Sequence, residues 1–475
     1  MKVLLINPLQ ENPCMPGPPK QILSEGGIYP PQGLLYLASF EVRRGKHEIK
    51  ILDAIAEGLD YAGIEKRIAD EKPDVVGVSL FTLYLGDGYR VLQAAKRVSK
   101  DIVTLAGGPH PTLFPRQTIK LPEVDYSVCG EAEYVFGEML DRIQDRRPLD
   151  DIEGVLTKNN PDKPVKQLMV QNLDELPIID YKLLPYNKYK SILSQGNPAT
   201  VMMTSRGCPF NCAYCPQAGT KLRKRDAKLV ADEIETYLNL GIKDILFFDE
   251  LFTLEHKRVK ELCDEFLRRK LKFRFNIRTR IKDVNQDIID LLKKSGCHLI
   301  QFGIESGTDR IQKLMNKNLD LEVVRKVISM TRKAGILTYG NFMLGSPSET
   351  ESEMQQTIDF AIKCKLDFAV FAITLLLPKT DYYEMAFKQN KLKEDFWEKY
   401  IANPLQPIEN AYWPDFEKGF LEEMDKKAYT QFYFRPWYIW NYLIRILSAG
   451  QLRTHSSAAY HILKSFGLRK KLTGK

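Results

Sequence analysis

Twice along this chain, short apolar runs alternate with amphipathic stretches, and that alternation limits the possible folds more than any other feature. In the first 150 residues the strand-like runs are KVLLIN (2–7), HEIKIL (47–52), DVVGVSL (74–80), DIVTLA (101–106) and the shorter 125–128. Between them lie stretches of helical spacing. Gln32 to Arg44 places Leu34, Leu35, Leu37, Ala38 and Phe40 together, and a later one places Val91, Leu92, Ala95 and Val98 on one face. A continuous run such as DVVGVSL suits a parallel strand buried on both faces. The order predicts a doubly wound, Rossmann-like parallel sheet over residues 1–140.

The alternation restarts at Thr200. Candidate strands are Val201–Ser205, Asp244–Phe248, Phe273–Arg278, Leu299–Ile304, Thr338–Leu344 and Phe368–Thr374, with amphipathic segments such as Lys228–Leu240 and Val259–Arg269 between them. Six β/α units over 196–390 fit a full or partial TIM-type barrel, whose chemistry gathers at the C-terminal ends of its strands. Residues 141–195, rich in Pro, Asp, Lys and Asn, read as a linker. Residues 391–475 read as a helical, aromatic module, with three of the four Trp between 413 and 440.

The composition excludes several classes. With 44% hydrophobic and 27% charged residues, the chain is neither disordered nor low in complexity. The net charge of +8 is mild and the cations are interleaved with acids, so no nucleic-acid partner is expected; a weak basic cluster ends the chain (Arg469, Lys470, Lys471, Lys475). The opening MKVLLINP lacks the long apolar region of a signal peptide. No apolar stretch of spanning length occurs. Eight cysteines are too sparse for a disulfide scaffold, and three of them are clustered, which points to a cytoplasmic protein with metal or catalytic thiols.

The cluster is Arg206-Gly207-Cys208-Pro209-Phe210-Asn211-Cys212-Ala213-Tyr214-Cys215, directly after the strand-like VMMTS. A structural zinc site takes four N/S ligands, and no fourth cysteine is near. Iron–sulfur clusters also normally take four, so three thiolates leave one iron open. The Cys-x3-Cys-x2-Cys spacing, Gly207 before it and Tyr214 before the third Cys resemble the radical S-adenosylmethionine (SAM) superfamily. The resemblance implies a 4Fe-4S cluster on Cys208, Cys212 and Cys215, with SAM on the open iron. Reductive cleavage of the SAM sulfonium would then give methionine and a 5′-deoxyadenosyl radical. It also implies SAM contacts at Tyr214, at Asp249 and Glu250 after the second strand, at Arg278 after the third, at Glu305 and Ser306 after the fourth, and at Gly345 with Pro347 after the fifth. Ordinary turns, helix-end acids and ion pairs are the competing readings of these positions.

In the N-terminal region, small residues follow the strands: Ser79 and Thr82, Gly107 and Gly108, Gly130 and Glu131. Such residues let a large ligand approach the backbone at the carboxyl edge of a parallel sheet. Together these loops resemble the cobalamin-binding domain that precedes many radical SAM domains. The Asp-x-His-x-x-Gly motif is absent, since Ile55 stands where its His would be, so no His from that motif is expected on cobalt. His110 reads as a loop or surface residue.

The aromatic run 430–447 (TQFYFRPWYIWNYLIRIL) is read either as a core helix capping the barrel or as an interfacial helix touching the inner face of the membrane. The resemblance as a whole implies a cobalamin-dependent radical SAM enzyme that methylates an unactivated carbon of a small-molecule or lipid-like substrate. It implies an external electron donor of flavodoxin or ferredoxin type. A cyclase or oxidative enzyme resembling the anaerobic magnesium-protoporphyrin monomethyl ester cyclase is the alternative within enzymes. A non-catalytic cobalamin- or zinc-binding regulator is the alternative outside them.

Overall fold

The computed structural model describes residues 1–14, 27–408, 410–436 and 438–440. They fall into two compact units, one built from 1–14, 28–189 and 394–408, the other from 27, 190–393, 410–436 and 438–440.

The first unit has a six-stranded sheet: β1 (Lys2–Asn7), β2 (Glu48–Asp53), β3 (Val75–Ser79), β4 (Val103–Gly107), β5 (Tyr126–Val128) and β6 (Val155–Thr157), in the order β2-β1-β3-β4-β5-β6. The first five strands are parallel. The order reverses between β1 and β3, the switch point at which such sheets hold ligands. The helix expected from Gln32 to Arg44 has those bounds. It ends at Gly45 in the left-handed region (φ 69°), with Arg43 and Arg44 in its last turn facing the negative end of the helix dipole. Buried Asp53 ties the end of β2 to its surroundings, accepting from Asn7 Nδ2 (3.0 Å) and Tyr189 OH (2.8 Å).

The segment expected as a linker differs. It supplies β6, which pairs antiparallel with β5, and its Val155, Leu156, Val170 and Leu173 are buried. These apolar residues come in runs too short to show a period among the surrounding Pro, Asp and Lys. The expected C-terminal module is also divided: helix Phe396–Ala402 buries Trp397 in the first unit, its ring 6.2 Å from Phe114.

The second unit carries β7 (Ala199–Met202), β8 (Asp244–Phe247), β9 (Arg274–Thr279), β10 (Cys297–Glu305), β11 (Leu337–Leu344) and β12 (Phe368–Ile373). They lie in strict sequence order and all run parallel, a partial barrel two strands short of a (β/α)8 closure. On the helix-facing side Phe247, Phe252, Phe266, Phe273 and Phe275 form one aromatic cluster, with ring centroids 5.0–6.4 Å apart. Along β11 the period of two is explicit. Thr338, Gly340, Phe342 and Leu344 are buried, whereas Leu337, Tyr339, Asn341 and Met343 on the other face are half-buried.

An open barrel leaves an edge strand with unpaired backbone groups. Here helix Lys418–Tyr433 and the residues after it serve the edge of β12. Tyr429 OH donates to Phe371 O (3.1 Å), Tyr433 OH donates to Ala369 O (2.7 Å) and accepts from Ala369 N–H (3.1 Å), and Tyr438 OH donates to Asp367 O (2.7 Å). Four helical residues rise about 6.0 Å and two strand residues about 6.6 Å. Tyrosines four apart on an antiparallel helix therefore keep step with alternate strand residues. Within the described part of the aromatic run, Phe432, Tyr433 and Tyr438 thus serve the barrel; Trp437 and 441–447 lie outside the described residues. We predict that Tyr433→Phe, which leaves both Ala369 groups without this partner, lowers the stability of the second unit by about 1–3 kcal/mol. Chemical denaturation followed by tryptophan fluorescence measures it, and an unchanged midpoint refutes the edge-sealing role.

Candidate active site

At the C-terminal end of β7 the chain makes a two-residue ribbon, Ser205–Arg206 pairing antiparallel with Arg223–Lys224. The cysteine loop hangs from this ribbon. Gly207 has φ +100°, and a Cβ there would stand 2.2 Å from Lys221 O, so only glycine lets the two arms meet. Further in, Cys208 N–H donates to Thr220 Oγ1 (2.8 Å), Thr220 N–H to Cys208 O (2.9 Å) and Gly219 N–H to Phe210 O (3.0 Å). Ala213 N–H reaches Met315 O (3.0 Å), Asn316 Nδ2 reaches Asn211 O (2.7 Å), and the Arg280 guanidinium lies 3.5 Å over the Phe210 ring.

Cys208, Cys212 and Cys215 are free and half-buried, whereas the other five cysteines are buried. Burial pushes the Cys208 and Cys215 thiols up, each is within electrostatic reach of Cys212, and Lys317 opposes the rise. Three mutually coupled thiols on one pinned loop are the donor set of an iron–sulfur cluster lacking one protein ligand. They do not close on a single ion: among the described residues no group of three or more His, Cys, Asp or Glu side chains does so.

Behind the loop stands a group that the sequence only half revealed. Glu305, the last residue of β10, has φ +69°. Its Oε1 pairs with Lys317 Nζ (2.9 Å), which lies 3.3 Å from Tyr214 OH. Gly303 makes room, since a Cβ there would stand 2.6 Å from Glu305 Oε1 and 2.9 Å from Lys317 Nζ. Lys317, buried, was not foreseen; in the string MNKNL it resembles any surface lysine.

The other expected SAM contacts differ in burial and in the groups around them. Asp249 is fully buried and accepts from Thr204 N–H (2.6 Å), Thr204 Oγ1 (2.5 Å) and Ser205 Oγ (2.7 Å), with Arg258 at 3.7 Å. Both its oxygens are engaged, and through them Asp249 anchors the ribbon that carries the cysteine loop. Glu250 is exposed. Desolvation by surrounding protein and the charge of Asp249 raise its carboxyl above the usual range, against Gly207 N–H and Arg278. Arg278 lies over the Phe248 ring at 4.0 Å and is half-buried. Glu305 is held by Lys317. Ser306 is fully buried, its Oγ 3.3 Å from both Thr308 Oγ1 and Thr357 Oγ1. Gly345 (φ +83°) gives its N–H to Glu349 Oε2 (2.8 Å), and a Cβ on it would meet Leu421 at 2.8 Å, so its bareness serves packing beside Pro347. Burial raises the Glu349 carboxyl to about 7.

In the first unit the glycine-loop residues divide the same way. Ser79 is half-buried, and a Cβ on Gly107 would meet nothing within 4 Å, so this edge is open. Gly108 (φ +94°) is packed against Ser79 and Leu80. Gly130 is bare because Leu168 O would stand 2.3 Å from its Cβ, and Glu131 accepts from Val170 N–H (2.7 Å); both hold the segment after β6. Thr82 Oγ1 lies 3.2 Å from His110 Nδ1. His110 is not at the surface: it is wholly buried near Phe114, and desolvation lowers its pKa to about 3.

We predict that Asp249→Ala, which leaves Arg258 buried without its carboxylate, costs about 3–5 kcal/mol. Glu250→Ala, at an exposed position, should stay within about 0.5 kcal/mol of the unaltered chain. Parallel denaturation curves decide, and equal costs would overturn the division of the two acids.

Two family models match the chain, the Radical SAM superfamily over residues 202–361 and the B12 binding domain over 22–140. An uncharacterized methyltransferase of Pyrococcus horikoshii is 35% identical over 448 residues, covering 92% of this chain and 93% of that one. The anaerobic magnesium-protoporphyrin IX monomethyl ester cyclase of Rubrivivax gelatinosus is 29% identical, covering 86% of this chain and 74% of its own. Among solved structures, the radical SAM methyltransferase TsrM of Kitasatospora setae with cobalamin and a 4Fe-4S cluster bound superposes with a TM-score of 0.66 at 21% identity, covering 82% of this chain and 78% of that one. A cysteine loop on the first strand of a partial barrel, a doubly wound unit ahead of it and these matches together lead to one conclusion: the chain belongs to the family of radical SAM enzymes that carry a cobalamin-binding domain.

Proposed function

We propose that this protein is a cobalamin-dependent radical SAM enzyme that transfers a methyl group to an unactivated carbon of a small-molecule substrate. The observation that carries the reading is the pinned loop with three half-exposed thiols at the C-terminal end of β7, in a chain that also bears a B12-type unit. Similarity to a methyltransferase over nearly its whole length supports methyl transfer. Cys208, Cys212 and Cys215 would hold the 4Fe-4S cluster; Ser79 and Gly107 would face cobalamin. When bound, these groups supply one-electron reduction of the SAM sulfonium and a transferable methyl group.

The chain's own residues orient and shield. Glu250 offers an exposed carboxylate suited to the SAM ammonium, and Arg278 a cation suited to its carboxylate. Lys317 places positive charge beside the thiols and ties Tyr214 and Glu305 into one unit. Anchoring by Asp249 keeps the loop registered on β7. The partner is then a small-molecule substrate, with an external low-potential electron donor of flavodoxin or ferredoxin type. Among the described residues, no helix is long and apolar enough to cross a membrane.

A second reading, a ring-forming radical SAM enzyme, is favoured by the similarity to the protoporphyrin ester cyclase. The product separates the two: methylation adds one methyl to the substrate mass, cyclisation removes hydrogen. After anaerobic reconstitution we expect iron and sulfide, and 5′-deoxyadenosine released from SAM under dithionite. The triple variant Cys208→Ala, Cys212→Ala, Cys215→Ala should lose all three. A variant that keeps its iron and sulfide would refute the assignment, and a colourless protein that binds only zinc would favour a regulator.

A further inference from the structure

The partial barrel of the second unit carries two buried carboxamides with unpaired polar atoms on its interior face. Along β9, Phe275 and Ile277 alternate with Asn276 and Arg278, and Phe275 belongs to the helix-facing aromatic cluster. Asn276 and Arg278 therefore point into the barrel. In register, Leu246 and Leu299 flank Asn276, and Gln301 stands beside Arg278. Val201 and Leu337 continue the layer of Asn276. Tyr339 and Phe368 continue the layer of Gln301, and Gly303, Asn341 and Val370 form the next one toward the strand ends.

Asn276 is 0% exposed and Gln301 5%. Among the described residues, neither Nδ2 nor Oδ1 of Asn276 has a hydrogen-bond partner, and Gln301 Nε2 has none. Unpaired amide groups in an otherwise apolar layer are costly, and leucine has nearly the shape of asparagine, so packing alone does not call for an amide there. The ladder between β9 and β10 slips by one residue between the Phe275–Cys297 and Asn276–Leu299 pairs. Such bulges re-aim side chains and gather beside active sites.

The interior face opens toward β11 and β12. Tyr339, Asn341 and Val370 are half-buried, and Ala372 is exposed. The side chains that β10, β11 and β12 turn inward are uncharged up to the Glu305–Lys317 pair beside Gly303.

We infer that this face lines the substrate site, and that the Gln301 and Asn276 carboxamides bind an uncharged amide-type group of the substrate: a carboxamide, a lactam or a heterocyclic amide. The inference rests on the methyl-transfer reading and names a substrate class for it. A carboxamide presents donor and acceptor side by side and so matches a group of its own kind. In the layer of Asn276 a carboxylate or ammonium would lose its hydration with no counter-charge to replace it. A hydrocarbon would leave both amides as unpaired as before. Arg278, in the layer of Gln301, lies over the Phe248 ring on the β8 side, which makes a carboxylate the discriminating control.

The test uses the full-length protein, reconstituted anaerobically, with benzamide, 2-pyridone, benzoate and toluene as probes followed by ligand-observed NMR. We expect benzamide and 2-pyridone to bind roughly tenfold or more tightly than benzoate and toluene. Asn276→Leu with Gln301→Met should remove that preference and raise the thermal midpoint by about 2–4 °C, because unpaired amides give way to apolar side chains of similar shape. Asn341→Leu, on the open part of the same face, should weaken benzamide binding severalfold, and it carries the test if the double variant does not fold. A lowered midpoint would mean that the amides hold the fold. Equal affinity for all four probes, or a preference that the double variant keeps, would place binding elsewhere. A raised midpoint without amide binding would mean ordered water only. Each of these overturns the inference. Release of 5′-deoxyadenosine by the unaltered protein is read in parallel: its absence with the amide preference intact refutes the reaction and not the binding site.

Discussion

The second unit depends on one buried carboxylate. Asp249, at the end of β8, accepts three hydrogen bonds from Thr204 and Ser205, the residues that lead from β7 into the cysteine loop. Arg258 stands beside it and donates to Thr204 O (2.8 Å). A buried acid is costly unless hydrogen-bonded and paired, and this one is both. The result is that the loop is tied to the neighbouring strand as well as to its own. Position, not only composition, then distinguishes Cys208, Cys212 and Cys215 from the five cysteines of the core.

The same economy appears at the other strand ends. Glycines and small polar residues there read as openings for ligands, yet most are filled by the protein itself. Leu168 approaches Gly130, Leu421 approaches Gly345, and the Glu305–Lys317 pair occupies the space beside Gly303. Of Gly107, Gly108, Gly130 and Gly345, Gly107 alone has no atom within 4 Å of where a Cβ would stand. A glycine thus marks a close approach, and the three-dimensional structure decides whether chain or ligand makes it.

Much of the architecture was legible. The strand over Thr338–Leu344, the continuous apolar run of β3 and the helix Gln32–Arg44 all appear where the sequence pattern put them. The short β6 was hidden because three residues show no period. The helix Phe396–Ala402 and the helix Lys418–Tyr433 were merged because aromatic content does not say which surface a ring will cover. Lys317 was missed because a buried lysine differs from an exposed one only by its neighbours.

Amino-acid order alone determined the two alternating units and the thiol trio with its missing fourth ligand, because each of these is a local pattern of period or spacing. Tertiary structure decided which of two adjacent acids is spent on the fold and which faces outward, why tyrosines four apart on one helix satisfy the open edge of β12, and that His110 is enclosed. Those outcomes turn on long-range contacts: a side chain is free or committed according to what the rest of the chain brings within about 3 Å of it.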